Sequence, residues 1–211
     1  MMFKIPSALR VAVAAIVLSF ASVLHAQISF TFTYTGSAGV GFNDTGASGI
    51  AAKAALESAA STLAGYFTSS GPVTITYTVS SYSTNDSTLA SAGSDSISAA
   101  TGFYRTVVQN KIISGTDSNS GTADGSINWN WFHTWDTSDT VAGGSFDLKS
   151  TAMHELLHSF GFSSYTESTT NTDGYDNWAT FDQFLTTNAG IGSLLVNSGT
   201  SLWQGGSAVL T

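Results

Sequence analysis

Alternation is the first pattern along this chain. Ile28, Phe30, Phe32 and Tyr34 fall on one side of residues 28–35 and hydroxyl residues on the other, a period of two that predicts a half-buried strand. Val73, Ile75, Tyr77 and Val79 repeat the pattern over 73–82, just after the break at Gly71-Pro72. Ile127, Trp129 and Trp131 repeat it again over 125–131. Between the first two strands the period lengthens: Ile50, Ala54, Leu56, Ala59, Ala60, Leu63 and Phe67 predict an amphipathic helix over 47–67 with a closely packing, alanine-rich face. A second, shorter helix is expected over 103–113, with Phe103, Val107 and Ile112 on one side. Residues 83–98 are small and polar and read as a surface loop. Strands and helices in this order predict an α+β fold, with a mixed N-terminal sheet backed by a helix.

A third helix carries the chemistry. His154-Glu155-Leu156-Leu157-His158 is an H-E-x-x-H motif. On a helix the two histidines stand at i and i+4, so both imidazoles leave one face and can hold a single Zn²⁺, with Glu155 beside them as a proton acceptor. With four His and three Glu in 211 residues, such a motif arises by chance in roughly one chain in a thousand, so the spacing itself is informative. Asp147 or Ser150 can cap the start of this helix, and Gly161 stands where a C′ glycine would end it. Leu156, Leu157 and Phe160 also suit a helix buried on a core, where the histidines would be structural only; that reading leaves Glu155 without a reason.

Catalytic zinc usually takes three protein ligands and a water. In the longer H-E-x-x-H-x-x-G-x-x-H pattern the third histidine would fall at Ser164, and the only methionine beyond the leader is Met153, so neither the third histidine nor a methionine turn is in place. The alternatives are His133, which sits among Trp131, Phe132 and Trp135, the downstream carboxylates Glu167, Asp173, Asp176 and Asp182, or a residue beyond Thr211.

Composition narrows the setting. Residues 1–26 carry Lys4 and Arg10, an apolar run from Val11 to Leu24, and Leu24-His25-Ala26 as a cleavage site, which together read as a signal peptide too short for a comfortable membrane span. Its removal leaves residues 27–211 as one domain, free of stable membrane insertion and secreted to the extracellular space or periplasm. Losing Lys4 and Arg10 takes the net charge from −8 to −10, and nucleic acid is then an unsuitable partner, since binding it needs a basic surface. The chain has no cysteine, which excludes disulfides, thiol catalysis and thiolate metal sites. Asp117-Ser118-Asn119-Ser120-Gly121 with Asp124 has the oxygen spacing of the first half of a Ca²⁺ loop but lacks the later bidentate glutamate, and an ordinary Asp/Asn/Gly turn explains it equally.

The segment from Asp147 to Phe184, with the helix motif running into Ser159-Phe160-Gly161-Phe162 and later Trp178-Ala179-Thr180-Phe181-Asp182-Gln183-Phe184, resembles secreted, mostly bacterial zincin metalloproteases related in plan to leishmanolysin. The resemblance covers about the second half of the chain. It implies a zincin-like fold with a partial C-terminal lobe, and a zinc-dependent endopeptidase acting on protein or peptide. His154 and His158 would be ligands, Glu155 the general base, and a third histidine would come only after a long insertion, so that the domain over 27–211 would be incomplete at its C-terminus. It also implies that a strand shortly before the zinc helix, here 125–131, borders the substrate as a sheet edge. The competing class is a non-catalytic extracellular or adhesive domain on the same scaffold with an incomplete metal site.

Overall fold

The computed structural model describes residues 27–100, 102–164, 177–186 and 209–210. Residues 1–26, which the sequence reads as a signal peptide, lie outside them. Strand β1 (Ile28–Gly36) leads through helix α1 (Ala47–Ala64) to β2 (Val73–Tyr82), then to the short strands β3 (Ala90–Gly93) and β4 (Gly102–Tyr104). Helix α2 (Val107–Ser114), β5 (Gly125–Asn130), β6 (Trp135–Asp136) and β7 (Phe146–Asp147) follow, then helix α3 (Leu148–Ser159). After it come β8 (Asn177–Ala179), a 3-10 turn at Thr180–Phe184, β9 (Leu185–Thr186) and β10 (Val209–Leu210). The class is α+β.

The main sheet has the order β1-β2-β5-β3; β1, β2 and β5 run parallel and β3 runs antiparallel at the edge. Parallel neighbours need a crossover connection, and α1 supplies the one between β1 and β2. Register places Phe30 beside Ile75, Phe32 beside Tyr77 and Val79 beside Ile127, so the alternating apolar residues of successive strands share one face. Helices α1 and α3 pack on each other and join that face in a single core. From α1 the buried residues are Gly49, Ala52, Ala55, Leu56, Ala59, Ala60 and Leu63; the small side chains let its backbone come close. Leu148, Ala152 and Leu156 are the corresponding buried residues of α3.

Four expectations are corrected in detail. Helix α1 ends at Ala64 rather than at 67, and its buried face is turned: Ile50 is 64 % exposed and Ala54 is also exposed, while Ala52 and Ala55 go inside. The second helix does not begin at Phe103, because Gly102–Tyr104 pairs with β8 and the helix starts only after Thr106, whose hydroxyl caps the Gln109 N–H at 3.0 Å. The stretch 83–98 contains β3 as well as loop. Strand β5 is interior, flanked by β2 and β3, so the edges of the sheet are β1 and β3 and not the strand at 125–131. Among the described residues no helix is long and apolar enough to cross a membrane.

Candidate metal centre

Helix α3 begins where its cap dictates. The Asp147 carboxylate accepts the Lys149 N–H at 3.0 Å and the Ser150 N–H at 3.3 Å, satisfying two of the donors left free at a helix start. Of the two caps available, Asp147 is the one used. At the other end Gly161 takes φ +97°, a left-handed conformation costly for any residue with a Cβ. Its N–H donates to the His158 carbonyl, and the Phe162 N–H donates to the Leu157 carbonyl, both at 3.1 Å. This pair of bonds is a Schellman motif, and it turns the chain back so that the Phe162 carbonyl faces His158.

That carbonyl sets the chemistry of His158. Nδ1 lies 2.9 Å from it, and since a carbonyl can only accept, Nδ1 carries the proton and Nε2 presents a lone pair. One helical turn earlier, His154 points its own Nε2 to within 3.1 Å of that atom, with the two rings edge to face and their centroids 4.7 Å apart. Two imidazole nitrogens bound to one tetrahedral zinc at about 2.0–2.1 Å each would lie about 3.4 Å apart, so the observed spacing fits the ion with only a small opening. Glu155, about 100° further round the helix than His154, is buried at 8 % exposure. Among the described residues no hydrogen bond reaches its carboxylate.

The rest of the helix is held from behind. The Ser159 hydroxyl donates to the Leu156 carbonyl at 2.7 Å and accepts from the Tyr77 phenol at 2.5 Å, tying α3 to β2. Burial pushes the Tyr77 phenol well above its ordinary pKa, so it keeps its proton and remains a donor. Thr106 links α2 in the same way, its hydroxyl donating to the Ser159 carbonyl at 2.7 Å. Ser159, Thr106 and Tyr77 are all buried, so each of these bonds is shielded from water. The residue pattern gave no sign of these three supports; Gly161 was the visible trace of the fourth, the Phe162 carbonyl.

Among the described residues, no third protein ligand is brought to the pair. His133 is occupied elsewhere, with Nε2 3.1 Å from the Thr88 carbonyl and its ring edge-on to Phe132 and Phe146. Asp182 is fully buried and accepts the Ala179 N–H at 2.9 Å. Ser164 is exposed. Glu167, Asp173 and Asp176 lie outside the described residues. Among the described residues no group of three His, Cys, Asp or Glu side chains converges as a metal site.

The Ca²⁺-like stretch is organised around a lysine. Lys111 Nζ lies 3.0 Å from Asp117 and 3.0 Å from both carboxylate oxygens of Asp124. Asp117 also receives the Asn119 and Ser120 N–H groups in the manner of an Asx turn, while Asp124 receives both the N–H and the hydroxyl of Thr76. The Lys111 hydrogen bond holds the Asp117 carboxyl below the usual carboxylate range, against a smaller opposing effect of burial.

No protein-family model matches this chain, and neither a curated protein nor a solved structure matches it.

Proposed function

We propose that this protein is a secreted zinc-dependent endopeptidase of zincin-like plan. The observation that carries the reading is the convergence of the His154 and His158 Nε2 atoms to 3.1 Å on one face of α3, with Glu155 between them in sequence. Support also comes from the Phe162 carbonyl, which fixes the ligand tautomer of His158. The mixed sheet with α1 and α3 over one face and an antiparallel edge, β3, in contact with α3 is consistent with such a plan.

Zinc held by this pair would supply a Lewis acid to the scissile carbonyl and lower the pKa of the attacking water. Glu155 takes the proton from that water and passes it to the departing amine nitrogen, so a single carboxylate serves as base and then acid. His158 is oriented by a main-chain carbonyl, an acceptor that does not depend on the side chain at position 162.

A second reading, a non-catalytic extracellular domain, is favoured by one observation: among the described residues, two imidazoles stand without a third ligand. One experiment separates the two. The purified secreted form should bind about one zinc by metal analysis, and His154→Ala or His158→Ala should each abolish it. Glu155→Gln should keep the zinc and lose casein hydrolysis by at least about a hundredfold, the usual worth of a general base. Zinc binding without hydrolysis in the parent protein would favour the non-catalytic domain; zinc content unchanged in both histidine variants would remove the metal site altogether.

A further inference from the structure

A helix leaves its last four carbonyls without intrahelical partners, and its end frays where nothing takes them. In α3 those carbonyls belong to Leu156, Leu157, His158 and Ser159, and every one is taken. Leu157 and His158 accept from the Phe162 and Gly161 N–H groups of the closing turn. Leu156 accepts from the Ser159 hydroxyl at 2.7 Å as well as from the Phe160 N–H at 3.1 Å, and the Ser159 carbonyl accepts from the Thr106 hydroxyl at 2.7 Å. His158 stands inside this last turn and His154 one turn earlier, so the gap between their Nε2 atoms depends on the turn staying closed.

Packing does not hold that turn from every side. Phe160, Gly161 and Phe162 face a cavity of about 360 Å³, which they share with Gln109 and the 3-10 segment Thr180–Phe184. The opposing support comes from the sheet. Tyr77 projects from β2 with its ring stacked on Phe30 and Phe32 of β1, at centroid distances of 6.4 and 5.7 Å. Its register partner on β5 is Gly125, where an added Cβ would lie 2.5 Å from Tyr77 Cε1, so the glycine is what leaves room for the ring. Aimed in this way, the buried phenol reaches the Ser159 hydroxyl at 2.5 Å, and that hydroxyl donates in turn to the Leu156 carbonyl.

We infer that Tyr77 is a positioning residue for His158, acting through Ser159 to hold the last turn of α3 in the form that directs the imidazole at His154. The phenol bonds to the residue after His158 rather than to His158 itself, so its effect is on geometry. The consequence for zinc rests on the metal pair proposed above; the consequence for the orientation of the ring does not.

Tyr77→Phe keeps the ring and removes only the phenol O–H. In the purified protein it should weaken zinc about tenfold, the lower end of what outer partners of a metal-binding histidine contribute, measured by competition with a chromophoric chelator. Ser159→Ala breaks the same chain at its next member and carries both readouts if Tyr77→Phe fails to fold. The double variant should lose no more affinity than either single one, because both act through one bond. A second readout needs no metal. Nitrogen-15 NMR of the zinc-free parent should show His158 as the single Nδ1–H tautomer that the Phe162 carbonyl selects, and in either variant the signal should become an average of the two tautomers. A lowered unfolding midpoint with an unchanged tautomer, parent zinc affinity in both variants, or additive losses in the double variant each overturns the positioning role. Parent affinity in both variants together with zinc lost in His158→Ala leaves the metal pair standing. Zinc retained by His158→Ala removes the metal pair instead, and the tautomer then decides the positioning role alone.

Discussion

At the scale of single residues, two of the three buried acidic residues in the described part of this chain, Asp124 and Glu155, have opposite fates. Asp124 is fully compensated, by Lys111 and by the Thr76 N–H and hydroxyl, whereas Glu155 meets no donor among the described residues. Removing the charge from the first should therefore cost stability. Asp124→Asn weakens the pairing with a lysine that is itself only 13 % exposed, and we expect a loss of about 2–4 kcal/mol, read as a lowered denaturant midpoint with an unchanged slope. Asp136 offers a pH signature. The Ser138 hydroxyl, then the Ala142 and Ser138 N–H groups, hold its carboxyl down to about 2, against an ordinary unfolded value of about 3.9. A folded pKa below the unfolded one means that its contribution is complete above the unfolded value and is lost as pH falls through about 2. A carboxyl-carbon NMR titration should place its midpoint near that value, and Ser138→Ala should move it upward. The pairing of His154 with His158 was legible in the sequence because it depends on i, i+4 spacing alone. Tyr77, Thr106 and Ser159 were not, because nothing in a strand, a cap and a helix terminus says that they will meet.

At the scale of elements, legibility followed how much of each element's stability is local. Helix α3 was readable at both ends because Asp147 and Gly161 act within a few residues of themselves. Asp147→Ala should lower stability by about 1 kcal/mol, detectable as a lower midpoint in thermal unfolding, and a helix unaffected by it would mean the cap is idle. Strand β3 was not readable. Its sequence, Ala90-Ser91-Ala92-Gly93, has no large apolar residue, and it is a strand only because Ala90 and Ala92 lie opposite Trp129 and Ile127 of β5. The face of α1 was misjudged for a related reason: alanine runs leave the period ambiguous, and the decision to bury Ala52 and Ala55 rather than Ile50 and Ala54 is made by the sheet it packs on. At 103–107 the apolar spacing looked helical, but a partner strand at Asn177–Ala179 claims Gly102–Tyr104.

At the scale of the whole molecule, an ion held by α3 alone should still stabilise the fold, since the unfolded chain offers no converged pair. At a free zinc concentration about a hundred times the dissociation constant the gain is about 2.7 kcal/mol, which for a domain of this length raises Tm by about 5–10 °C. Scanning calorimetry with zinc and then with excess EDTA should show the rise and its reversal, and His158→Ala should show neither. The turn at Gly161 has a consequence of another kind. Because the group that orients His158 is a main-chain carbonyl, the side chain at position 162 is not needed to set that imidazole, although it lines the neighbouring cavity. Natural variation could then substitute at 162 and reshape the cavity without disturbing the paired imidazoles, as long as the glycine stays. On the peptidase reading proposed above, recognition and reactivity would be separately inheritable.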